Sequence, residues 1–167
     1  MKKTAILTIS DKGSKGQRID ETGQVLREYL EKNKYKVYYY KIIPDEVEDI
    51  KKELIYMCDE LNIPLVITNG GTGFSKRDVT PEATLQVIEK YVPGIGEFMR
   101  MKSMEITPRA MLSRGIAGIR KNSLIINLPG SPKGAKENIE FILKSLDHGL
   151  KILSGETSEC AKSEVDL

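Results

Sequence analysis

The segment spanning residues 65–84, LVITNGGTGFSKRDVTPEAT, joins an apolar run to a glycine-rich turn and a capped helix. It constrains the fold strongly, because a short apolar run such as residues 65–67 is typical of a strand covered on both faces in a parallel sheet. Gly70, Gly71 and Gly73 then end the strand and let a ligand approach the backbone. The following Thr-Pro-Glu, residues 80–82, predicts a helix with Thr as N-cap and Pro at its first position.

The turn and the charges after it predict a phosphate site. Residues 70–73, the glycine loop, offer exposed N–H groups and the Thr72 hydroxyl, and Lys76 and Arg77 add cations. Asp78 would repel a phosphate unless a divalent cation lay between them, which indicates Mg²⁺. A simple tight turn, with Asp78 as a surface or capping residue, is the alternative. Because the charged cluster and the capped helix follow the glycine loop directly, a functional site is favoured over a simple turn.

Strand-like and helix-like segments alternate along the chain. This alternation predicts a three-layer α/β fold with a mostly parallel sheet and helices on both faces. Lys121-Asn122 reads as a tight turn, which adds a short β-hairpin. Neither the P-loop pattern nor G-x-G-x-x-G opening a helix occurs, so neither a P-loop NTPase nor a Rossmann dinucleotide site is supported. The predicted strands are 4–10, 36–43, 65–67, 117–120 and 123–128, and the predicted helices are 21–32, 48–60, 81–90, 94–101, 108–113, 132–146 and 148–153.

Ligands of open α/β sheets bind outside the carboxyl ends of the strands, where the predicted loops should meet. This rule adds Ser10 and Asp11 after the first strand, Asp45 after the second and Asn69 at the end of the third. Asp45 and Asp78 would then be two carboxylates from separate loops, suited to holding a metal or positioning an attacking oxygen. On local grounds alone, Asp45 is equally well explained as the N-cap of the next helix.

A second glycine element follows the last strand and opens a helix whose first N–H groups can bind an anion. A turn made rigid by two prolines explains this element equally well when it is taken alone. Ser113, at the end of a short helix, offers a hydroxyl to a polar ligand. The candidates in the second element are Pro129, Gly130, Ser131 and Lys133.

Composition sets outer limits on the interpretation. The 167 residues predict one compact domain, residues 1–155, followed by a polar tail, residues 156–167, that is expected to be disordered. The 26 Lys and Arg nearly balance the 24 Asp and Glu, so nothing global favours a nucleic-acid or membrane partner. Cys58 and Cys160 suggest neither a disulfide framework nor a zinc site, and without a signal peptide or membrane span we expect a cytoplasmic protein.

Five motifs, in order, resemble the MogA/MoaB family of molybdenum cofactor biosynthesis and the related G domains of plant and animal molybdopterin-binding proteins. The resemblance covers about residues 3–155. The motifs are TISD at 8–11, IPDE at 43–46, GGTG at 70–73 with RDVTP at 77–81, MLSR at 111–114 with AGIR at 117–120, and NLPGSP at 127–132.

The resemblance implies adenylyltransferase activity, in which the terminal phosphate of molybdopterin attacks the α-phosphate of ATP with Mg²⁺ and pyrophosphate is released. It implies that Asp45 and Asp78 are the functional acidic pair, that the glycine loop and residues 129–132 bind substrate, and that Ser113 contacts it. A homotrimer or homohexamer, and hand-over to a molybdenum-insertion protein, are further implications.

Two alternatives stay open at this stage. One is a non-catalytic molybdopterin carrier module, against which both acids argue, since a pure binder of anions gains nothing from two carboxylates beside the phosphates. The other is a generic nucleotide-binding α/β protein that acts on a different phosphorylated heterocycle.

Overall fold

The computed structural model describes residues 2–155, so the predicted disordered tail lies outside the described residues. The strands are β1 (Lys2–Ile9), β2 (Tyr35–Ile43), β3 (Leu65–Asn69), β4 (Lys90–Tyr91), β5 (Ala117–Arg120) and β6 (Ser123–Leu128). The α-helices are α1 (Asp11–Ser14), α2 (Glu21–Lys32), α3 (Val47–Ile55), α4 (Thr80–Val87), α5 (Pro93–Met104) and α6 (Pro132–Leu153). A π-helical turn (Tyr56–Glu60) continues α3, and a 3₁₀ turn (Pro108–Leu112) follows α5.

The strands form one six-stranded sheet in the order β2-β1-β3-β6-β5-β4. The first four strands in this order are mutually parallel, and β5 and β4 add an antiparallel edge. The predicted mostly parallel sheet and the predicted hairpin, β5 with β6, are therefore confirmed. The chain leaves β1 toward β2 on one side and reaches β3 on the other, which makes the gap between β1 and β3 the topological switch point.

The sheet separates two hydrophobic cores. Alternate side chains of the central strands point to opposite faces, so Ile6 and Ile67 enter one core and Leu7 and Val66 enter the other. Helices α2, α5 and α6 cover the first face, and α3 and α4 cover the second. Residues 4–9 of β1 and all of β3 are buried on both faces, which is why consecutive apolar residues occur at 5–7 and 65–67.

Several local predictions differ from the structure: the predicted helix at 108–113 is the 3₁₀ turn, the end of the predicted helix at 48–60 is the π-helical turn, and three more differ as follows. The predicted closing helix pair is one continuous helix, α6, because Leu146 and Leu150 lie one turn apart and are both buried against the sheet. Thr80 is the first residue of α4 and not its N-cap, since its hydroxyl donates to the Gly70 carbonyl at 2.9 Å. Strand β4 falls where the α4 helix was predicted to end, and two exposed residues carry no periodicity to reveal it.

Candidate functional site

The switch point holds a cavity of about 350 Å³ at the carboxyl ends of β1 and β3. Ser10 and Asn69, both predicted candidates, line it, as do Gly70 of the glycine loop and Gly130 and Ser131 of the second glycine element. The position agrees with the rule for ligands in open α/β sheets. We call this space the first cavity.

The glycine loop lies tightly against its surroundings at two positions where no other residue fits. Gly70 and Gly71 have φ angles of +94° and +65°, in the left-handed region. A Cβ at Gly70 would overlap the carbonyl oxygen of Ile9, and a Cβ at Gly71 would overlap the Thr80 hydroxyl. The loop is therefore fixed between the end of β1 and the start of α4.

Asp45 lies directly beside this loop. Its Oδ1 would be 3.2 Å from a Cβ at Gly71, and its Oδ2 accepts the Asp11 N–H at 2.8 Å. It does not cap α3, whose N-cap is Glu46 without a side-chain hydrogen bond. Burial raises the pKa of the Asp45 carboxyl, and the negative charges of Asp11 and Asp78 raise it further against the opposing effect of the Asp11 N–H.

Asp78 lies at the other end of the glycine loop. Its Oδ2 accepts the Ser75 N–H at 2.9 Å and would be 2.9 Å from a Cβ at Gly73. Arg114 holds the backbone here, because its guanidinium donates to the carbonyls of Gly73 at 2.7 Å and Asp78 at 2.6 Å. The structure thus brings both predicted acids to one loop from separate strands.

Arg77, a predicted phosphate ligand, makes contacts within the protein. Its Nε and Nη2 donate to the two carboxylate oxygens of Asp11 at 3.0 and 2.9 Å, and Nη2 also reaches Glu46 at 2.7 Å. These hydrogen bonds lower the pKa of the Asp11 carboxyl. Lys76 is exposed beside them.

A second cavity, of about 310 Å³, opens on the other side of the glycine loop, toward α5 and α6. Thr72, Gly73, Ser113 and Pro129 line it, all predicted candidates. Ser131 lines both cavities, so the glycine loop and residues 129–132 form the partition between them. The two loops touch, since a Cβ at Gly130 would be 3.2 Å from the Gly70 Cα.

Lys133 does not line either cavity among the described residues. It faces Glu137 one turn along α6, with 3.8 Å between Nζ and Oε1. The first turn of α6 is instead capped by the Ser131 hydroxyl, which accepts the Gly134 N–H at 3.2 Å.

Sequence reasoning missed a partly buried polar group beside the first cavity, apart from its member Asn69, which was a predicted candidate. The Asp20 carboxylate accepts hydrogen bonds from the Tyr40 hydroxyl at 2.6 Å, from the Thr8 hydroxyl and from the Gly23 N–H at 2.8 Å. The Asn69 amide donates to Thr8 Oγ1 at 2.9 Å. Nothing local signals this group, because its members come from three strands and one helix start.

Sequence reasoning also missed Arg18 at the first cavity and Arg100 and Arg109 at the second. Arg100 donates to the Gly115 carbonyl at 2.8 Å. Arg18 lies in a loop, Arg100 on α5 and Arg109 in the 3₁₀ turn, so they form no sequence pattern, and only the three-dimensional structure assigns them to a cavity.

Comparison with known proteins identifies relatives of this chain. Residues 5–148 match the family model described as a probable molybdopterin binding domain. The chain is 46% identical to the molybdopterin adenylyltransferase of Helicobacter pylori (strain ATCC 700392 / 26695) over 154 residues, which are 90% of this chain and 86% of that protein. It is 42% identical to the Escherichia coli (strain K12) molybdopterin adenylyltransferase over 139 residues, covering 82% and 71% of the two chains.

A solved structure is also similar. The molybdopterin biosynthesis enzyme MoaB from Thermus thermophilus superposes with a TM-score of 0.89 at 46% identity, covering 95% of this chain and 100% of that one. Separately, no helix within residues 2–155 has the length and apolar character needed to cross a membrane.

Proposed function

The chain belongs to the MogA/MoaB family of molybdopterin-binding proteins of molybdenum cofactor biosynthesis, and from this premise we propose that it is a molybdopterin adenylyltransferase. Relatives that carry this name match most of the chain at 42 to 46% identity. In the reaction, an oxygen of the terminal phosphate of molybdopterin attacks the α-phosphorus of ATP. A new P–O bond forms, the bond to the β-phosphate oxygen breaks, and pyrophosphate leaves.

One observation carries the proposal: Asp45 and Asp78 lie against a glycine loop that separates two cavities. Transfer between two substrates needs two binding spaces that meet at the reacting atoms. Phosphoryl and nucleotidyl transfer require positioning and charge neutralisation more than a covalent nucleophile. The loop can supply positioning, and the two carboxylates, which lie against the loop without lining either cavity themselves, can supply a seat for a cation that neutralises the phosphates.

The two acids fit a Mg²⁺ site that the substrates complete. No group of three or more His, Cys, Asp or Glu side chains suited to a metal occurs within residues 2–155. Mg²⁺ in nucleotide sites is usually held by one or two carboxylates together with substrate phosphates and water. The raised pKa of Asp45, caused by burial and by the charges of Asp11 and Asp78, is what a nearby cation would relieve. The cation would supply charge neutralisation between the phosphates.

The protein's own groups would act by orientation. Arg114 fixes the Gly73 and Asp78 carbonyls, and Arg77 fixes Asp11, whose N–H in turn holds Asp45. These contacts keep the loop and the acids in place while the phosphates meet at the partition. Preorganised groups of this kind account for much of the rate in such transfers.

We also propose a homo-oligomer, a trimer or hexamer as the family resemblance implies. Exposed apolar side chains on α5 and after it support the idea, since Phe98 is 38%, Met101 49%, Met104 43% and Ile106 49% exposed. Light scattering after gel filtration tests it, and a monomer would reject it. A cytoplasmic location and hand-over of the product to a molybdenum-insertion protein belong to the same proposal.

The test of the activity is pyrophosphate release by the purified protein with molybdopterin, ATP and Mg²⁺, beside a reaction without the pterin. Pterin-dependent release that disappears in the Asp78→Asn variant would support the adenylyltransferase. Pterin binding without release would instead indicate the carrier module.

A further inference from the structure

The arginines nearest to the two acids already have partners. Arg77 is bound to Asp11 and Glu46, and Arg114 is bound to the Gly73 and Asp78 carbonyls. A guanidinium can exchange such partners for a phosphate only by releasing the loops that it holds. These two arginines are therefore suited to positioning the site, and the cations that meet the substrates have to be sought elsewhere.

Two other arginines line the cavities without an acceptor. Within residues 2–155, the guanidinium groups of Arg18 and Arg109 make no hydrogen bond or ion pair. Arg18 lines the first cavity and Arg109 the second. Both residues are exposed, so each cavity has one lining arginine whose guanidinium has no partner within residues 2–155.

Arg18 is held near a rigid anchor. Two residues further on, Asp20 caps α2 and accepts the hydrogen bonds from Thr8 and Tyr40 beside the cavity. Ile19, between them, also lines the first cavity and is 75% exposed. An exposed apolar side chain beside an unpaired guanidinium suits a ligand that combines a flat ring with a phosphate.

The second cavity also combines an arginine without a partner and an exposed apolar side chain. Arg109 belongs to the 3₁₀ turn that also carries Leu112, which lines the same cavity and is 47% exposed. Glu137 on α6 adds a carboxylate to the wall, whereas the Asn138 amide beside it already donates to Ser103 Oγ at 3.1 Å and to the Gly134 carbonyl at 2.8 Å. A carboxylate in such a wall can accept hydrogen bonds from the polar edge of a heterocycle.

We propose that Arg18 and Arg109 are phosphate-binding residues for the two substrates, one in each cavity. This inference rests on the proposed function, because it takes ATP and molybdopterin as the two phosphorylated ligands. The chemistry common to both cavities is a fork of N–H donors that binds two oxygens of a phosphate, which a lysine cannot reproduce. Because each arginine serves one cavity, each contributes to the binding of one substrate.

The test is the dissociation constant of ATP and, separately, of molybdopterin, measured by calorimetry for the wild-type protein, Arg18→Gln and Arg109→Gln. Lys144→Gln on the exposed face of α6 is the matched control, since it removes one positive charge outside both cavities. We expect each arginine variant to bind one of the two ligands about tenfold or more weakly than the wild type. The weakened ligand should differ between the two variants. The control should bind both ligands like the wild type.

Three results would overturn the inference: an arginine variant that binds both ligands like the control, two variants that weaken the same ligand, or a wild type that binds neither ligand. Thermal unfolding of each variant excludes a folding defect as the cause of weak binding. Binding is measured without turnover, so the two proposals can fail separately. Selective loss of affinity without pyrophosphate release in the wild type would reject only the adenylyltransferase, and release with unchanged affinities would reject only the roles of Arg18 and Arg109.

Discussion

Asp11 and Asp45 hold each other by two reciprocal hydrogen bonds. The Asp11 N–H donates to Asp45 Oδ2 at 2.8 Å, and the Asp45 N–H donates to Asp11 Oδ1 at 3.1 Å. This exchange ties the end of β1 to the end of β2. It also uses only one oxygen of Asp45, so that the other, Oδ1, lies beside Gly71 of the glycine loop.

Asp45→Asn should therefore remove the negative charge of this side chain while keeping its hydrogen bond to the Asp11 N–H. An asparagine amide oxygen can still accept the Asp11 N–H, so the link between the strands persists. We expect the rate of pyrophosphate release at saturating substrate to fall by about 100-fold or more, because the carboxylate that would face Mg²⁺ is lost. The melting temperature should stay close to that of the wild type, since the substituted group carries a charge that burial disfavours.

Asp49→Asn is the matched control for that variant. Asp49 is exposed on α3 and makes no contact with the glycine loop, so activity should not change. Steady-state kinetics and thermal unfolding on the same preparations check both expectations. An Asp45→Asn protein with wild-type turnover would remove Asp45 from the catalytic pair.

Two glycines provide a test of the loop backbone. Gly70→Ala places a Cβ against the Ile9 carbonyl oxygen at a φ of +94°, so either the loop moves or the residue is strained. We expect a loss of about 2 kcal/mol or more in the free energy of unfolding, measured by urea titration, and weakened substrate binding. Gly94→Ala, where a Cβ meets nothing within 4 Å, should leave both quantities near the wild type. Equal behaviour of the two variants would contradict the fixed loop.

The fold was predictable because the buried apolar residues recur in the sequence with the spacing of the strand or helix that carries them. The apolar run of β3 and the amphipathic pattern of α2 depend on which face of an element is buried, and sequence spacing encodes this directly. The pairing of Asp11 with Asp45 is different, since it depends on the register between β1 and β2, in which Ile9 lies beside Ile43. Local reasoning could place Asp45 at the right edge of the sheet but could not distinguish it from an N-cap.

The arginines also show that the local sequence does not reveal which distant residues a side chain contacts. Arg77 follows the glycine loop in sequence and was expected to meet phosphate, yet its guanidinium is bound to Asp11 and Glu46. Its predicted role in binding stays untested. Arg18 gives no signal in sequence, although it lines the first cavity. Which cations are already paired depends on contacts between residues far apart in the chain.

Cys58 should be unreactive in the folded protein. It is a free thiol, 2% exposed, and burial raises its pKa to about 11. At about pH 8 the thiol is therefore mostly protonated, and its burial keeps a thiol-reactive reagent away from the sulfur. In a Cys160→Ser background, we expect labelling by Ellman's reagent to be slow until denaturant is added and stoichiometric afterwards. Rapid labelling of the native protein would show that the core formed by α3 and β3 opens readily.

The final prediction concerns an ion pair at the opposite end of the sheet. Arg120 donates to both carboxylate oxygens of Asp59, at 2.9 and 2.7 Å, and the two side chains are only 20% and 13% exposed. These hydrogen bonds lower the pKa of Asp59 to about 2. Since an unfolded Asp has a pKa of about 3.9, the pair stabilises the protein above about pH 4, and this stabilisation is lost as the pH falls through about 2.

Arg120→Met should therefore lower the free energy of unfolding at about pH 7 by about 1 to 3 kcal/mol, because it leaves Asp59 with Lys121 as its remaining cation. The difference between variant and wild type should shrink as the pH is lowered from about 5 toward 2, since protonation of Asp59 removes the interaction from the wild type as well. Urea titrations across this pH range measure it. Lys136→Met, which breaks an exposed pair with Glu140 on α6, is the control and should change the free energy by less than about 0.5 kcal/mol. A difference between Arg120→Met and the wild type that stays constant with pH would mean that Arg120 stabilises the fold by packing and by its 2.9 Å hydrogen bond to the Val87 carbonyl, and not through the charge of Asp59.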